Sequence, residues 1–266
     1  MKPESLLENA LLGFIQGVSE WLPISSEGLV ALVGNLAWGR DFEDAIALAL
    51  LLHIGTALSA IVYFRREIKT LILDTYKRPR ESNPLLAFII YSSIGSALSG
   101  IPILIGINSI SVLDGSVVMI IVGSLVWING AVQTKQKTAL ELRKIDSINW
   151  VEATGAGLIQ GLAILPGLSR SGLTISFLLF RKYESKYALF LSFLMSIPAS
   201  LGAALLIIIT RDFSLQIEEI IGAVVAFFIG LITIHLLISL ASRIRFSSFL
   251  FTAGLVLIIG GIMGLI

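Results

Sequence analysis

Six stretches of this chain, near 43–64, 85–107, 114–133, 186–209, 217–240 and 246–265, run for about twenty residues almost free of charge. A helix of that length, rising about 1.5 Å per residue, crosses a bilayer core of about 30 Å. Nothing else constrains the fold as strongly, because hydrocarbon admits only helices and closed barrels. No ten-residue alternation of apolar and polar positions is present, so a barrel is not expected. Only 14% of the 266 residues are charged, against about 25% in soluble domains. The expected fold is therefore an all-α integral membrane protein, built as one membrane domain over 1–266.

Two further apolar regions, 5–38 and 150–180, are interrupted by proline, glycine and serine, at LPISSEG and LPGLSRSG. Each half is about fifteen residues, too short to span. Irregular backbone at membrane depth must be enclosed by protein or line a wet cavity. Both regions are read as re-entrant helical hairpins, with a pair of broken transmembrane helices as the alternative. The basic residues favour the hairpins. Segments 65–84, 134–149, 181–186 and 241–245 hold fifteen Lys and Arg, while Lys2, Arg40 and Arg211 fall on the other side. Six spans plus two hairpins put the fifteen in the cytoplasm and both termini outside. The segment MKPESLLENALLGF has neither a basic n-region nor a cleavage site of small residues, so no removable signal peptide is expected.

The two breaks resemble each other. GFIQGVSEWLPISSEGL at 13–29 and GLIQGLAILPGLSRSGL at 157–173 share Gln-Gly and Gly-Leu at matched spacing. Each is followed by a helix with a small-residue midsection, HIGTALSA at 53–60 and SIPASLGAA at 196–204. Three crossings between the hairpins invert the second copy. This gives repeat 1 at about 5–107 and repeat 2 at about 150–240, with 114–133 and 246–265 as additional spans. Inverted repeats with broken helices are common in transporters, whose substrates sit near the midplane.

Helix N-termini meeting inside a membrane protein suit an anion, phosphate above all. Arg170 is the one basic residue in either hairpin, and Ser169 and Ser171 flank it. A guanidinium holds phosphate oxygens in pairs, and hydroxyls add donors. The alternative, an arginine reaching for the cytoplasmic surface, must cover about 16 Å of helix to reach Arg181-Lys182. Glu20 reads as a counter-ion, a general base or a divalent-metal ligand. Glu27 reads as a second carboxylate or as a group facing outer water. Ser25 and Ser26 fit either the cap of the next helix or the chemistry. His53 reads first as a packing residue and second as a lining of the site. The chain has no cysteine, which excludes disulfides, thiolate metal sites and cysteine nucleophiles. A net charge of +1 carries no signal for nucleic acid, and no such partner is expected.

QGVSEWLPISSEGL resembles the first motif of the membrane undecaprenyl-diphosphate phosphatase family, known for bacitracin resistance, and PGLSRSG is similar to its second. IGTALSAIVYFRREI at 54–68 is similar to the family's following helix and basic loop. The resemblance implies ten helices, a possible homodimer, and removal of one phosphate from a polyprenyl diphosphate at the outer face of the cell membrane, which recycles a glycan carrier lipid. It implies Glu20, Ser26 and Arg170 as catalytic residues, with Ser26 as nucleophile or positioner. Gln16, Ser25, Glu27, Ser169, Ser171, Gly172 and Thr174 would bind the substrate, and Mg²⁺ or Ca²⁺ would be held in part by Glu20. The chain departs from the motif at one functional position: the family's histidine is Leu29 here. A lipid-phosphate flippase with little or no hydrolysis is the rival expectation.

Overall fold

The computed structural model describes residues 3–77, 83–106, 149–165, 168–210, 216–240 and 246–265, with scattered positions between 117 and 131. The expected span 114–133 therefore lies largely outside the described residues, as do Pro166 and Gly167 of the second break. The described elements are helical, and no β-strand occurs among them. They are α1 (Pro3–Ser19), α2 (Ser26–Trp38), α3 (Phe42–Tyr63), α4 (Arg65–Lys77) and α5 (Pro84–Gly106), then α6 (Trp150–Gly161), α7 (Arg170–Phe180), α8 (Ser185–Thr210), α9 (Ile217–Leu240) and α10 (Phe246–Leu265).

Four of the described helices are long and apolar enough to cross a membrane, over 44–63, 84–103, 185–209 and 217–240. Their outward faces carry large apolar side chains that water would not tolerate in such density: Leu98 is 61% exposed, Ile209 69% and Phe228 58%. The protein is a multi-pass membrane protein. The flanking basic helix α4 turns a single leucine, Leu71, inward.

Local sequence sets the breaks. In the first, α1 ends at Ser19, and Ser25 caps α2 by accepting from the Gly28 N–H at 3.2 Å. In the second, α6 tightens into a 3₁₀ turn over Leu162–Ile164, and Ser169 caps α7 by accepting from the Gly172 N–H at 3.1 Å. Serine is favoured at this position because its oxygen satisfies an orphan donor of the first turn. Gly39 ends α2 in the left-handed region at φ +66°, where a side chain would be strained.

The two breaks also pack alike. A Cβ placed on Gly13 of α1 would lie 2.1 Å from the Gly222 carbonyl oxygen of α9. A Cβ on Gly157 of α6 would lie 2.1 Å from the Ser92 carbonyl oxygen of α5. One turn on, Gly17 meets Ala226 and Gly161 meets Ser96 in the same way. Only glycine permits these approaches, the usual solution where lipid supplies no hydrophobic force between helices. The first helix of the first break thus crosses α9, and that of the second break crosses α5. An arginine beyond each second helix reaches back to the first. Arg40 Nε donates to Glu8 Oε1 at 2.7 Å, and Arg181 Nε to Glu152 Oε1 at 2.8 Å.

Candidate functional site

The two breaks meet. Ser169 and Ser171 hydroxyls donate to the Leu22 carbonyl at 3.2 and 2.6 Å, across about 150 residues of chain. Pro23 packs on Gly172, where an added Cβ would come within 3.1 Å of the ring. Behind the junction the Trp21 and Phe193 rings pack at a tilt of 60° with centroids 4.8 Å apart, tying the first break to α8. Trp21 is only 1% exposed, so this contact forms part of the core.

At the junction Glu20 is the hub. Its Oε1 accepts from Arg170 Nη2 of the second hairpin. Its Oε2 accepts from Ser26 Oγ at 2.7 Å and from Gln16 Nε2 at 2.8 Å. The glutamate side chain is 2% exposed and the arginine's 14%. An unpaired charge at that depth would be prohibitive, and each here is the other's compensation. Arg170 does not reach toward the surface. Its Nη1 donates to Ser200 Oγ at 2.5 Å and to the Ser196 carbonyl at 3.3 Å, both on α8.

His53 of α3 belongs to the same cluster. Its Nε2 lies 3.2 Å from Glu20 Oε2 and 3.2 Å from Glu27 Oε1. Its Nδ1 lies 2.7 Å from the Ala49 carbonyl, which fixes the ring on its own helix. Glu27 is the more open carboxylate, with 29% of its side chain exposed, and its Oε2 is 3.4 Å from both Ser25 and Ser26 hydroxyls.

Each residue singled out from the sequence can now be placed. Glu20, Ser26, Arg170, Gln16 and Glu27 share one hydrogen-bonded cluster. The two serines divide the roles that the sequence left open between them. Ser25 is the helix cap, and Ser26 points its hydroxyl at the buried carboxylate. Ser169 and Ser171 stitch the hairpins together, and Gly172 allows the close contact with Pro23. Thr174 faces α8, 2.6 Å from Ser192 Oγ, and donates to the Arg170 carbonyl at 2.9 Å. Sequence reasoning undervalued His53 and did not find Ser196 or Ser200. The signal for the serines was the small-residue stretch SIPASLGAA, which follows the second break as HIGTALSA follows the first.

Glu20 faces Arg170, and the His53 ring faces both Glu20 and Glu27. An incoming phosphate can bind Arg170 only in competition with Glu20. The N-terminus of α7 begins at Arg170 itself and that of α2 at Ser26. The partial positive charge of both helices therefore falls on the same junction.

A family model described as "Bacitracin resistance protein BacA" matches residues 9–261 of this chain. The chain is 36% identical over 251 residues to a protein named undecaprenyl-diphosphatase from Methanococcoides burtonii, covering 92% of this chain and 94% of that one. It is 37% identical to a protein of the same name from Haloarcula marismortui, covering 97% and 98% of the two chains. A third, from Saccharolobus solfataricus, is 32% identical over 97% of this chain and 96% of its own length. With both breaks, their junction and nearly the whole length accounted for, the chain belongs to the bacitracin resistance protein BacA family.

Proposed function

We propose that this protein hydrolyses a polyprenyl diphosphate of the undecaprenyl type to the monophosphate and inorganic phosphate, recycling a glycan carrier lipid. The observation that carries the reading is the buried Ser26–Glu20–Arg170 chain across the two breaks, in a protein whose relatives are named for this activity. The isoprenoid tail lies along the apolar helix faces, and the diphosphate enters the junction. There Arg170 exchanges Glu20 for phosphate oxygens while Ser196 and Ser200 hold the guanidinium in place. Glu20, freed on one oxygen, takes the proton of Ser26 Oγ as that oxygen attacks the terminal phosphorus. The bond from phosphorus to the bridging oxygen breaks, and the polyprenyl monophosphate leaves with that oxygen and with the proton, handed on by Glu20, which is again a carboxylate. Water then attacks the phosphoserine with Glu20 again as base, the P–Oγ bond breaks, and the proton returns to Ser26. The helix N-termini and Arg170 stabilise the charge of the transferring group, the dominant need in phosphoryl transfer.

Among the described residues no three His, Asp or Glu side chains form a ready cage for a metal ion. The donor set nevertheless fits a hard divalent cation shared with substrate. Gln16 Oε1 is buried without a hydrogen-bond partner beside Glu20, and Glu27 presents a partly open carboxylate. Mg²⁺ is characteristically held by one or two carboxylates plus substrate phosphates. Glu20, Glu27 and Gln16 are the residues that would hold Mg²⁺ or Ca²⁺, whose contribution is to neutralise phosphate charge.

The topology that goes with this reading is six spans and two re-entrant hairpins in an inverted repeat, with both termini and the site's mouth at the outer face. Its support is the basic-residue asymmetry and the matched glycine crossings of α1 and α6. A homodimer, implied by the family resemblance, is tested by the mass of the solubilised particle. The decisive experiment is phosphate release from C15 and C55 diphosphates by purified protein with Mg²⁺, Ca²⁺ or chelator. Release that vanishes in Glu20→Gln and Arg170→Ala supports the reading, and wild type inert with every ion overturns it. The matched crossings also favour a second reading, a lipid-phosphate flippase. Lipid movement in proteoliposomes without phosphate release would select it.

A further inference from the structure

We infer that His53 is the residue that positions the two carboxylates of the site, in place of the motif histidine that this chain lacks at Leu29. The inference rests on the diphosphatase reading and names a working part of that same site.

The observation is a single ring atom against two acidic side chains on different elements. Nε2 of His53 is 3.2 Å from Glu20 Oε2, in the turn after α1, and 3.2 Å from Glu27 Oε1, on α2. The ring itself is 3% exposed and cannot swing away, because Nδ1 is held at 2.7 Å by the Ala49 carbonyl one turn back on α3. Nε2 meets a carboxylate oxygen on each side, which makes it the donor between them. The other groups around the ring are Gln16, whose Nε2 is 3.4 Å from Nδ1, and the guanidinium of Arg170 beyond Glu20. Helix α9 packs Ala223 and Ala226 against the neighbouring Gly55.

Two carboxylates drawn to one buried spot repel each other unless a donor sits between them. Glu20 has Arg170 for compensation. Glu27, at 29% exposure, has the choice of swinging out to water, and its inward contacts other than His53 are long. The bridging N–H therefore decides whether Glu27 belongs to the site or to the surface. It also fixes the Glu20 oxygen that receives the Ser26 proton, since Ser26 and His53 share Oε2. Leu29 on α2 can supply none of this. The histidine needed beside the carboxylates comes from a different helix instead.

The test compares His53→Leu, which removes the donor, with His53→Gln, whose amide restores one. Phosphate release from a C15 diphosphate should show kcat lowered about 10²-fold in the leucine variant with KM little changed, the scale of a misplaced catalytic group. Glutamine should bring kcat back to within about tenfold of wild type, because the bridge and not the ring chemistry is what counts. In parallel, carbodiimide coupling to a small amine, read by mass spectrometry at Glu27, should rise severalfold in His53→Leu and fall back in His53→Gln. A glutamine variant as impaired as leucine overturns the positioning role, as does a leucine variant that turns over like wild type. Wild type that releases no phosphate defeats the diphosphatase reading. The coupling at Glu27 still decides the inference in that case, and unchanged labelling across the three proteins overturns it.

Discussion

At the scale of single residues the site is economical: one carboxylate takes four contacts. Glu20 accepts from Ser26, Gln16 and Arg170 and faces His53. Replacing it by glutamine removes the base and strands Arg170, so phosphate release should fall at least about 10³-fold, measured with saturating C15 diphosphate. Arg170→Lys keeps the charge but loses the planar fork that spans Ser200, Ser196 and Glu20. Its KM should rise about 10- to 100-fold, the worth of a charged hydrogen bond, with a smaller loss in kcat. Leu29→His, which restores the motif, should change kcat by less than about threefold, because the donor that positions the carboxylates is already supplied by His53 and positioning is not gained twice. A large gain would show that His53 leaves the site short of a histidine. Arg170, Glu20 and the two serine pairs were legible from sequence, since a charge in an apolar break demands a partner. His53 was not, because a lone histidine on an apolar helix gives no sign of its neighbours.

At the scale of elements the two breaks are held by the same two devices, glycine crossings and an arginine clasp. Substituting Gly157 by alanine would drive a methyl into the Ser92 carbonyl and force α5 from α6. The expected cost is about 1–3 kcal/mol, read as a lowered unfolding midpoint in mixed micelles. Glu152 is 5% exposed and is held by Arg181 and by the Tyr183 hydroxyl at 2.9 Å. Arg181→Ala should destabilise by about 1–3 kcal/mol, since a buried carboxylate loses its charged donor. It should do so without a change in KM, because the clasp lies away from the junction. Helix ends fall where serine, asparagine or glycine marks them. Asn149 caps α6 by accepting from Glu152 N–H at 2.9 Å, and Asn83 caps α5 just before Pro84. The partner of each glycine was not readable, because small residues invite close approach without saying from which helix.

At the scale of the whole molecule the open matter is how the helices thread the bilayer. The absence of cysteine makes the test direct. Single cysteines at Ala37, in the last turn of α2, and at Tyr76, in basic α4, should react oppositely with a membrane-impermeant maleimide in intact cells. Labelling at 37 and protection at 76 is the expected outcome, and the reverse pattern would invert the topology. The sequence by itself determined the helical membrane class, the two polar breaks and their kinship. Hydrophobic length, charge asymmetry and proline-glycine-serine punctuation are local properties that burial cannot hide. Only the tertiary structure decided that the breaks meet at Leu22, that Ser25 caps while Ser26 faces Glu20, and that α3 supplies the histidine. Those are choices among partners far apart in the chain. They are settled by which glycine-lined faces can approach closely enough to bring the charges together.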